Sequence, residues 1–310
     1  MKVTQAAETI THTVIGGQEE EEFEIKNSAE FFQVLSDALY TNKPLATARE
    51  TLCNAWDAHI EAGKEDTPLK VILSSEELII QDFGEGIPDN LMKPLYGTYG
   101  GTTKVQNEFV TGGFGLGCKS PFSICDHFEV ISCHKGVRSI WRISKSSGEV
   151  AGKPSVKKIV SAPTTDTGVT VKIPLSSKHL DRLHQKQRYS TLANSLDNAI
   201  RGVVYYGRMQ VKYSYDYGNV EDKLLKTSKM PFKAFSAGFS SMPYAALGNQ
   251  GVYLRYGNVI YPIPYDGYYQ SFLADAEKVL GMVDDNFLIL QAKSNSIAVA
   301  PSREALSLTD

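Results

Sequence analysis

The sequence predicts an α+β protein, and three observations carry that prediction. Helical periodicity marks three long stretches, at about residues 28–41, 44–60 and 180–201. Short runs with strand character lie between and after them, without the regular strand–helix alternation of a parallel α/β sheet. Two glycine-rich turns, at residues 84–86 and 112–117, interrupt the first half of the chain. The 310 residues suit two medium-sized domains or one large one.

Composition excludes several classes of protein. Apolar residues make up 42% and charged residues 22% of the chain, as is ordinary for a globular protein in water. A net charge of −3 argues against a dedicated nucleic-acid-binding protein, although a local basic patch stays open. The sequence has no apolar run long enough to predict a transmembrane segment, and its N-terminus lacks the apolar core of a signal peptide.

The four cysteines form no Cys-x-x-Cys pair, which favours a reduced protein in the cytosol. Cys125, His127, Cys133 and His134 raise the alternative of a zinc site. Their spacing fits no common zinc pattern, so a buried strand with incidental thiols is the expected structure.

The central helix carries the first group of candidate site residues. Pro44 opens it, at a position where the missing N–H costs nothing, and Gly63 closes it. Glu50, Asn54 and Asp57 are spaced four and three apart, which places them on one helix face. Two carboxylates and an amide in one stripe suit a hydrated magnesium ion, which prefers oxygen ligands and shares substrate phosphates.

The first glycine turn follows two predicted strands, at about residues 69–74 and 77–82. Asp82 ends the second strand and either caps the loop or accepts a hydrogen bond from an exocyclic amine, which would select adenine. Gly84 and Gly86 let the backbone approach a flat ligand, and Ile87 begins the wall of such a pocket.

The second turn reads Gly-Gly-Phe-Gly-Leu-Gly at residues 112–117. Four glycines in six residues allow close approach to a phosphate, and a helix after them would point free N–H groups at it. The spacing matches neither the dinucleotide-binding nor the Walker pattern. Lys119 follows the turn and is a candidate phosphate contact; Phe114 and Leu116 lie between the glycines.

Glu-x-x-x-Asn-x-x-Asp, Asp-x-Gly-x-Gly and Gly-x-Gly-x-Gly, in this order, resemble the motifs of the GHKL ATPases: gyrase B subunits, MutL, heat-shock chaperones and histidine kinases. The resemblance implies the Bergerat-type α/β sandwich, with ATP and Mg²⁺ as ligands. It also implies roles for individual residues: Glu50 as the base that activates water, Asn54 as the magnesium ligand, Asp57 as its support, Asp82 as the adenine acceptor, and Gly113, Gly115 and Gly117 as the phosphate cradle.

The GHKL resemblance also divides the chain. Residues 1–175 form the expected ATP-binding domain, with an N-terminal arm at 1–26 and a lid at about 95–111. In gyrase-type relatives such an arm crosses to the partner subunit, so an ATP-dependent homodimer is implied. Lys104 in the lid is either a phosphate contact or a solvated lysine. The last GHKL motif would have Thr after Gly168, where this chain has Val169, so Thr170 or Thr167 is the candidate substitute.

Residues 176–310 are expected to form a smaller transducer-like α+β domain. Beyond the helix at 180–201, the predicted elements are strands near 202–207, 210–215, 252–256, 259–262 and 286–291, and a helix near 268–281. Arg303, in Ser-Arg-Glu-x-Leu, lies either at a helix start capped by Ser302 or in the position of the chaperone arginine that reaches the terminal phosphate.

Within the superfamily, four phrases resemble the rIIA proteins of T-even-type bacteriophages: residues 40–43, 112–117, 119–122 and 300–308. That resemblance implies a protein of the infected bacterial cytoplasm that affects lysis timing and protects against exclusion by a resident prophage. A second phage protein or a host target is an implied partner, and attachment to the membrane through a partner stays open.

The expected function is therefore slow, magnesium-dependent ATP hydrolysis that drives lid closure and dimerisation. The alternative is a non-hydrolysing conformational switch or scaffold that needs ATP only for its shape.

Overall fold

The computed structural model describes residues 39–98, 116–145, 155–175, 182–215, 223–225, 235–238, 252–263, 270–280, 287–293, 297–300 and 302–307. Several predicted features lie outside these residues: the N-terminal arm at 1–26, the helix at 28–41 apart from its last residues, the lid beyond Thr98, and the site candidates Lys104, Gly113, Phe114 and Gly115.

The described chain is α+β, as predicted, and its largest element is an eight-stranded mixed sheet. Its strands, in chain order, are β1 Leu69–Leu73, β2 Glu77–Gln81, β3 His127–His134, β4 Val137–Ser144, β5 Ser155–Pro163, β6 Gly168–Pro174, β7 Val211–Tyr215 and β8 Lys223–Leu225. Their order across the sheet is β5-β4-β3-β6-β2-β1-β7-β8. Only the β1–β7 pair in this sheet is parallel.

Among the described residues, four helices accompany the sheet: α1 Lys43–Glu61, α2 Asp89–Gly97, a 3₁₀ helix Gly117–Ser123 and α3 Arg182–Gly207. All four contribute buried side chains to one apolar cluster, among them Leu52, Met92, Phe122 and Ile200. Alternate residues of the strands point into the same cluster, as Val71 and Leu73 do in β1. The helices therefore cover one face of the sheet, and this layer holds α1 at its centre.

Local sequence explains where α1 begins and ends. The Asn42 side chain accepts a hydrogen bond from the Leu45 N–H at 3.1 Å and caps the first turn, in which Pro44 lies. At the other end Gly63 adopts φ +63°, the left-handed conformation that glycine tolerates best. The predicted opening at Pro44 and closure at Gly63 are confirmed.

A second, smaller sheet follows in the chain. Its strands are β9 Phe235–Gly238, β10 Val252–Tyr256, β11 Val259–Pro262 and β12 Phe287–Gln291, in the order β11-β10-β12-β9, with helix α4 Gln270–Leu280 between β11 and β12 in the sequence. The buried Arg255 of β10 donates to the carbonyl oxygens of Tyr206 and Gly207, at the end of α3. Val259 and Tyr261 of β11 belong to the main apolar cluster, so the second sheet packs onto the helical layer.

Two local expectations are wrong. The predicted strand at 202–207 is the last part of α3, because its β-branched and aromatic residues, Val203, Val204 and Tyr206, are buried along the helix rather than in a sheet. Ser302 does not begin a helix either. Residues 300–305 form the tip of a short hairpin whose strands are β13 Ala298–Val299 and β14 Leu306–Ser307.

The expected domain boundary at residues 175–176 does not coincide with an edge of the large sheet. β7 and β8, which follow that point in the chain, extend the sheet beyond β1, and α3 packs against α1. Of the helices in the described part of the chain, none is long and apolar enough to cross a membrane.

Candidate active site

Helix α1 brings the predicted stripe of polar residues into the interior of the protein. Glu50 is 2% exposed and Asp57 is fully buried, while Asn54 between them is half-buried. Burial of two carboxylates is costly unless each is paired or hydrogen-bonded, so their partners define what the site can do.

Glu50 is held by two arginines. Arg49 Nε lies 3.0 Å from Oε1 of the Glu50 carboxylate, and Arg303 Nη1 lies 2.8 Å from Oε2. Burial raises the pKa of Glu50, but Arg303 and Arg49 outweigh it and hold the pKa below its ordinary value. Glu50 is therefore ionised at neutral pH, with both oxygens engaged.

The second glycine turn reaches the same carboxylate. A Cβ atom at Gly117 would lie 2.4 Å from Oε2 of Glu50, which is far inside contact distance. A side chain at this position would force the Glu50 carboxylate to shift away from its arginines. Leu116 precedes Gly117 and is half-buried, while the helix expected after the turn is the short 3₁₀ helix. The structure thus brings Glu50 and the end of the glycine turn together.

Three consecutive residues of the hairpin tip contact α1 or the two residues before it, and these contacts place Arg303 beside Glu50. The Ser302 carbonyl accepts a hydrogen bond from Arg49 Nη2 at 2.7 Å. Arg303 pairs with Glu50, and the Glu304 carboxylate accepts from the main-chain N–H groups of Thr41 and Asn42, at 2.8 and 2.9 Å. Arg303 has φ +56°, an uncommon value for a residue with a side chain, and the tip contacts hold it there.

Arg303 retains hydrogen-bonding capacity after it binds Glu50. Its side chain is 5% exposed, yet among the described residues its Nε and Nη2 atoms have no hydrogen-bond partner, and neither has the hydroxyl of Tyr261. Buried donors are nearly always paired in native proteins. Unpaired guanidinium donors beside a glycine turn are suited to a phosphate group, which accepts such bonds readily.

Asp82 organises the first glycine turn. Its Oδ1 atom accepts hydrogen bonds from the main-chain N–H groups of Gly84, at 2.9 Å, and Val169, at 3.1 Å, and the residue is 4% exposed. The capping role that the sequence left open is therefore present, and the adenine-binding role stays a prediction.

The backbone is tightly packed around Asp82. A Cβ at Gly168 would lie 2.2 Å from the Asp82 carbonyl oxygen, and one at Gly86 would lie 2.2 Å from the Cys133 carbonyl oxygen. Both glycines also have positive φ values, +103° and +76°. These glycines allow three backbone segments to meet beside the Asp82 carboxylate.

Two residues that the sequence did not single out position this turn. Ser132 Oγ accepts from the Ile87 N–H at 2.7 Å and donates to the Ile87 carbonyl at 2.8 Å. His59 Nε2 accepts from the Phe83 N–H at 2.8 Å, which requires that this nitrogen be unprotonated. Burial lowers the pKa of His59, in agreement with a neutral ring. The position of His59 on α1, two residues after Asp57, was a signal that the sequence offered; Ser132 offered none.

Two predicted site residues lie elsewhere. Lys119 Nζ donates to the carbonyl oxygens of Leu95 and Thr98 at 2.5 and 2.6 Å, so its ammonium group holds the end of α2. The side chain of Thr170 points to the opposite face of the sheet, because its neighbours Val169 and Val171 both pack against the core.

Asp57, which was predicted to support the site, is directed toward the second sheet. The side-chain nitrogen of Asn258 lies 3.5 Å from Asp57 Oδ1 and donates to it from the turn between β10 and β11. This contact favours a supporting role for Asp57 over direct contact with a ligand.

Metal binding rests on Asn54. Its amide oxygen is of the hard type that Mg²⁺ prefers, and the residue lies one helical turn after Glu50. Across the described ranges, no three His, Cys, Asp or Glu side chains converge as ligands for a metal ion. A magnesium ion in this site would therefore depend on Asn54, water and substrate oxygens.

Comparison with known proteins yields a likeness of fold. No protein-family model matches the chain, and no curated protein matches it. Among solved structures, it is similar to the N-terminal domain of a DNA repair protein, with a TM-score of 0.54 and 16% sequence identity over 89% of this chain and 92% of that one. At this identity the two share an α+β fold, and the likeness extends no further.

The glycine at 168 supplies a test of the Asp82 turn. Gly168→Ala is expected to displace the turn and to lower the free energy of unfolding by about 3 kcal/mol or more, because the new methyl group overlaps the Asp82 carbonyl. The matched control is Gly136→Ala, which has a similar positive φ but only one neighbouring atom, at 4.0 Å. It should lose about 1 kcal/mol. Urea unfolding measures both, and equal losses would contradict the packing argument.

Proposed function

We propose that this protein binds ATP with Mg²⁺ and hydrolyses it slowly, in a site of the GHKL type on a Bergerat-type fold. One observation carries the proposal: a buried, ionised glutamate lies between a glycine turn and an arginine that has two unpaired donors. A carboxylate beside a phosphate site can take a proton from water, and an arginine there can offset the charge of the leaving phosphoryl group.

The residues divide the work as follows. Asp82 accepts a hydrogen bond from the adenine amino group, and the glycine turn that ends at Gly117 cradles the phosphates. Asn54 holds magnesium, which when bound neutralises phosphate charge. Glu50 orients water and removes its proton. Arg303 reaches this centre from the C-terminal hairpin, which supports a coupling between the second half of the chain and the nucleotide.

Arg49 and Arg303 together clamp the Glu50 carboxylate, and this arginine clamp supports slow turnover. Both Glu50 oxygens are engaged by arginines, and such a carboxylate is a poor base because its pKa is held low. A terminal phosphate offers Arg303 a competing anion. When Arg303 turns toward that phosphate, one oxygen of Glu50 becomes available to water. Binding of the nucleotide thus activates Glu50, the base that its hydrolysis requires.

The second candidate is an ATP-dependent switch that does not hydrolyse. The same clamp favours it, because a Glu50 that never leaves its arginines has no catalytic role. In either case we propose an rIIA-like role in lysis timing and protection against exclusion, with an ATP-dependent homodimer and a phage or host partner in the infected cytoplasm. The sequence phrases at residues 40–43 and 300–308 support this proposal.

The base assignment is tested with Glu50→Ala. The variant should still bind ATP but lose turnover by about 100-fold or more, because water loses its proton acceptor. Its control is Glu76→Ala, at an exposed glutamate before β2. Phosphate release with magnesium, measured across protein concentration, separates the two candidates. Turnover that rises with concentration and vanishes in Glu50→Ala means a dimerisation-gated ATPase. Tight ATP binding without turnover in the wild type means a switch.

The base pocket is tested with Asp82→Asn. The amide oxygen of asparagine can keep the bonds to the Gly84 and Val169 N–H groups. Its NH₂ group would face the adenine amino group, and two donors cannot form a hydrogen bond. ATP affinity is expected to fall about 10-fold to 100-fold, and the preference for ATP over GTP should shrink with it. Calorimetry with both nucleotides measures the change. An unchanged ATP affinity in a folded variant would remove Asp82 from the pocket.

The clamp predicts a pH dependence. In Arg303→Ala the burial that raises the pKa of Glu50 stays, while one of the two arginines that lower it is lost. The pKa therefore rises. Since Glu50 acts only when ionised, activity falls as pH drops through this pKa. The acid limb of kcat/KM, which reports the free enzyme in which Arg303 contacts Glu50, should therefore move to higher pH in the variant. Turnover at neutral pH should also fall, by about 100-fold. Arg142→Ala, at a half-exposed arginine of β4, is the control. Identical acid limbs would contradict the prediction.

A further inference from the structure

Tyr261 of β11 is a buried tyrosine with an unusual hydroxyl. The residue is 1% exposed and its ring packs in the main apolar cluster. Among the described residues, its hydroxyl has no hydrogen-bond partner. Buried tyrosine hydroxyls usually find a partner, because the O–H group loses water on folding. A phenylalanine would fill the same space without that loss.

The unpaired hydroxyl lies close to the unpaired donors of Arg303. Burial raises the pKa of Tyr261, and the nearby guanidinium groups of Arg303 and Arg49 act in the opposite direction. A contact between the hydroxyl and the Arg303 side chain, outside ordinary hydrogen-bond geometry, also lowers this pKa. Arg303 uses only Nη1 to bind Glu50, which leaves Nε and Nη2 without partners in the described chain. Three buried polar atoms from two separate segments, β11 and the hairpin tip, therefore share one neighbourhood beside Glu50.

We propose that Tyr261 is a second ligand for the terminal phosphate of the bound nucleoside triphosphate, acting together with Arg303. This inference rests on the proposed function. The tyrosine O–H donates to one phosphate oxygen, and Nε and Nη2 of Arg303 donate to others, in the forked geometry that guanidinium groups offer to phosphates. One absent anion thereby satisfies all three buried atoms.

The positions of Tyr261 and Arg303 make the site selective for a triphosphate over a diphosphate. Tyr261 belongs to the second sheet and Arg303 to the hairpin after it, whereas Glu50 and Gly117 belong to the helical layer on the large sheet. A nucleoside triphosphate has the terminal phosphoryl group that these ligands bind, and a diphosphate lacks it. Tyr261 therefore distinguishes ATP from ADP and links the second sheet to that distinction.

Tyr261→Phe removes only the hydroxyl, and the chain offers a close control. Tyr213 of β7 is also 1% exposed, but its hydroxyl has a partner, Asp197 Oδ1, at 2.7 Å on α3. Tyr213→Phe thus removes a buried hydroxyl that lies outside the site. Thermal unfolding of both variants without nucleotide shows that each is folded. Loss of a partnered hydroxyl should lower the melting temperature of Tyr213→Phe, whereas Tyr261→Phe should melt no lower than the wild type.

Calorimetry with a non-hydrolysable ATP analogue and with ADP decides the matter. Tyr261→Phe should bind the analogue about 10-fold more weakly, as expected for one hydrogen bond to a charged group, and should bind ADP like the wild type. Tyr213→Phe should bind both normally. An unchanged affinity for the analogue, or an equal loss for analogue and ADP, would overturn the assignment while the ATP site stands.

Two further outcomes are distinguishable. A wild-type chain that binds neither nucleotide overturns the proposed function and this inference together. Inorganic phosphate alone is the third titrant, because free phosphate has the same chemistry. If phosphate binding depends on Tyr261 and analogue binding does not, the hydroxyl serves a free-anion site, and its assignment to the nucleotide is overturned.

Discussion

The buried carboxylate of Glu50 is the constraint on which the rest of the site depends. An isolated charge in the core would be neutralised or excluded, so its burial requires the two arginines that contact it. Arg49 comes from the same helix, whereas Arg303 comes from 253 residues away in the chain. The pair of arginines leaves an excess of one positive charge around Glu50, and that excess suits the arrival of an anion.

Close backbone approach is the complementary constraint. Gly117 meets the Glu50 carboxylate, and Gly168 and Gly86 meet main-chain carbonyls, at distances where any side chain would overlap. The site is thus made of backbone as much as of side chains. Rigid, closely packed backbone can present N–H groups to a ligand without rearrangement. Gly84 lies against Ala58 and Gly117 against Glu50, so both segments pack on helix α1.

Much of this was readable in the sequence. The β1 and β2 strands were predicted to within one residue of their observed bounds, because two short apolar runs lie on either side of the polar residues 74–76. Glu50, Asp82 and Gly117 were chosen as candidates from motif spacing, and the structure buries Glu50 and Asp82. The positions of Lys119, Thr170 and Tyr261 were not, because each depends on contacts between distant segments or on which face of a strand is buried. Val203 and Val204 were misread as strand since helix packing overrode their intrinsic preference.

The contacts of the hairpin tip impose an order on biosynthesis. The ribosome makes Glu50 before Arg303, with 252 residues between them, so a nascent chain carries the helix long before it carries the second arginine. Until then Glu50 has only Arg49 to offset its charge, and Thr41 and Asn42 lack the carboxylate of Glu304. In a shortened chain that ends before the hairpin, we therefore expect the packing of α1 to be lost before that of the distant strands of the large sheet.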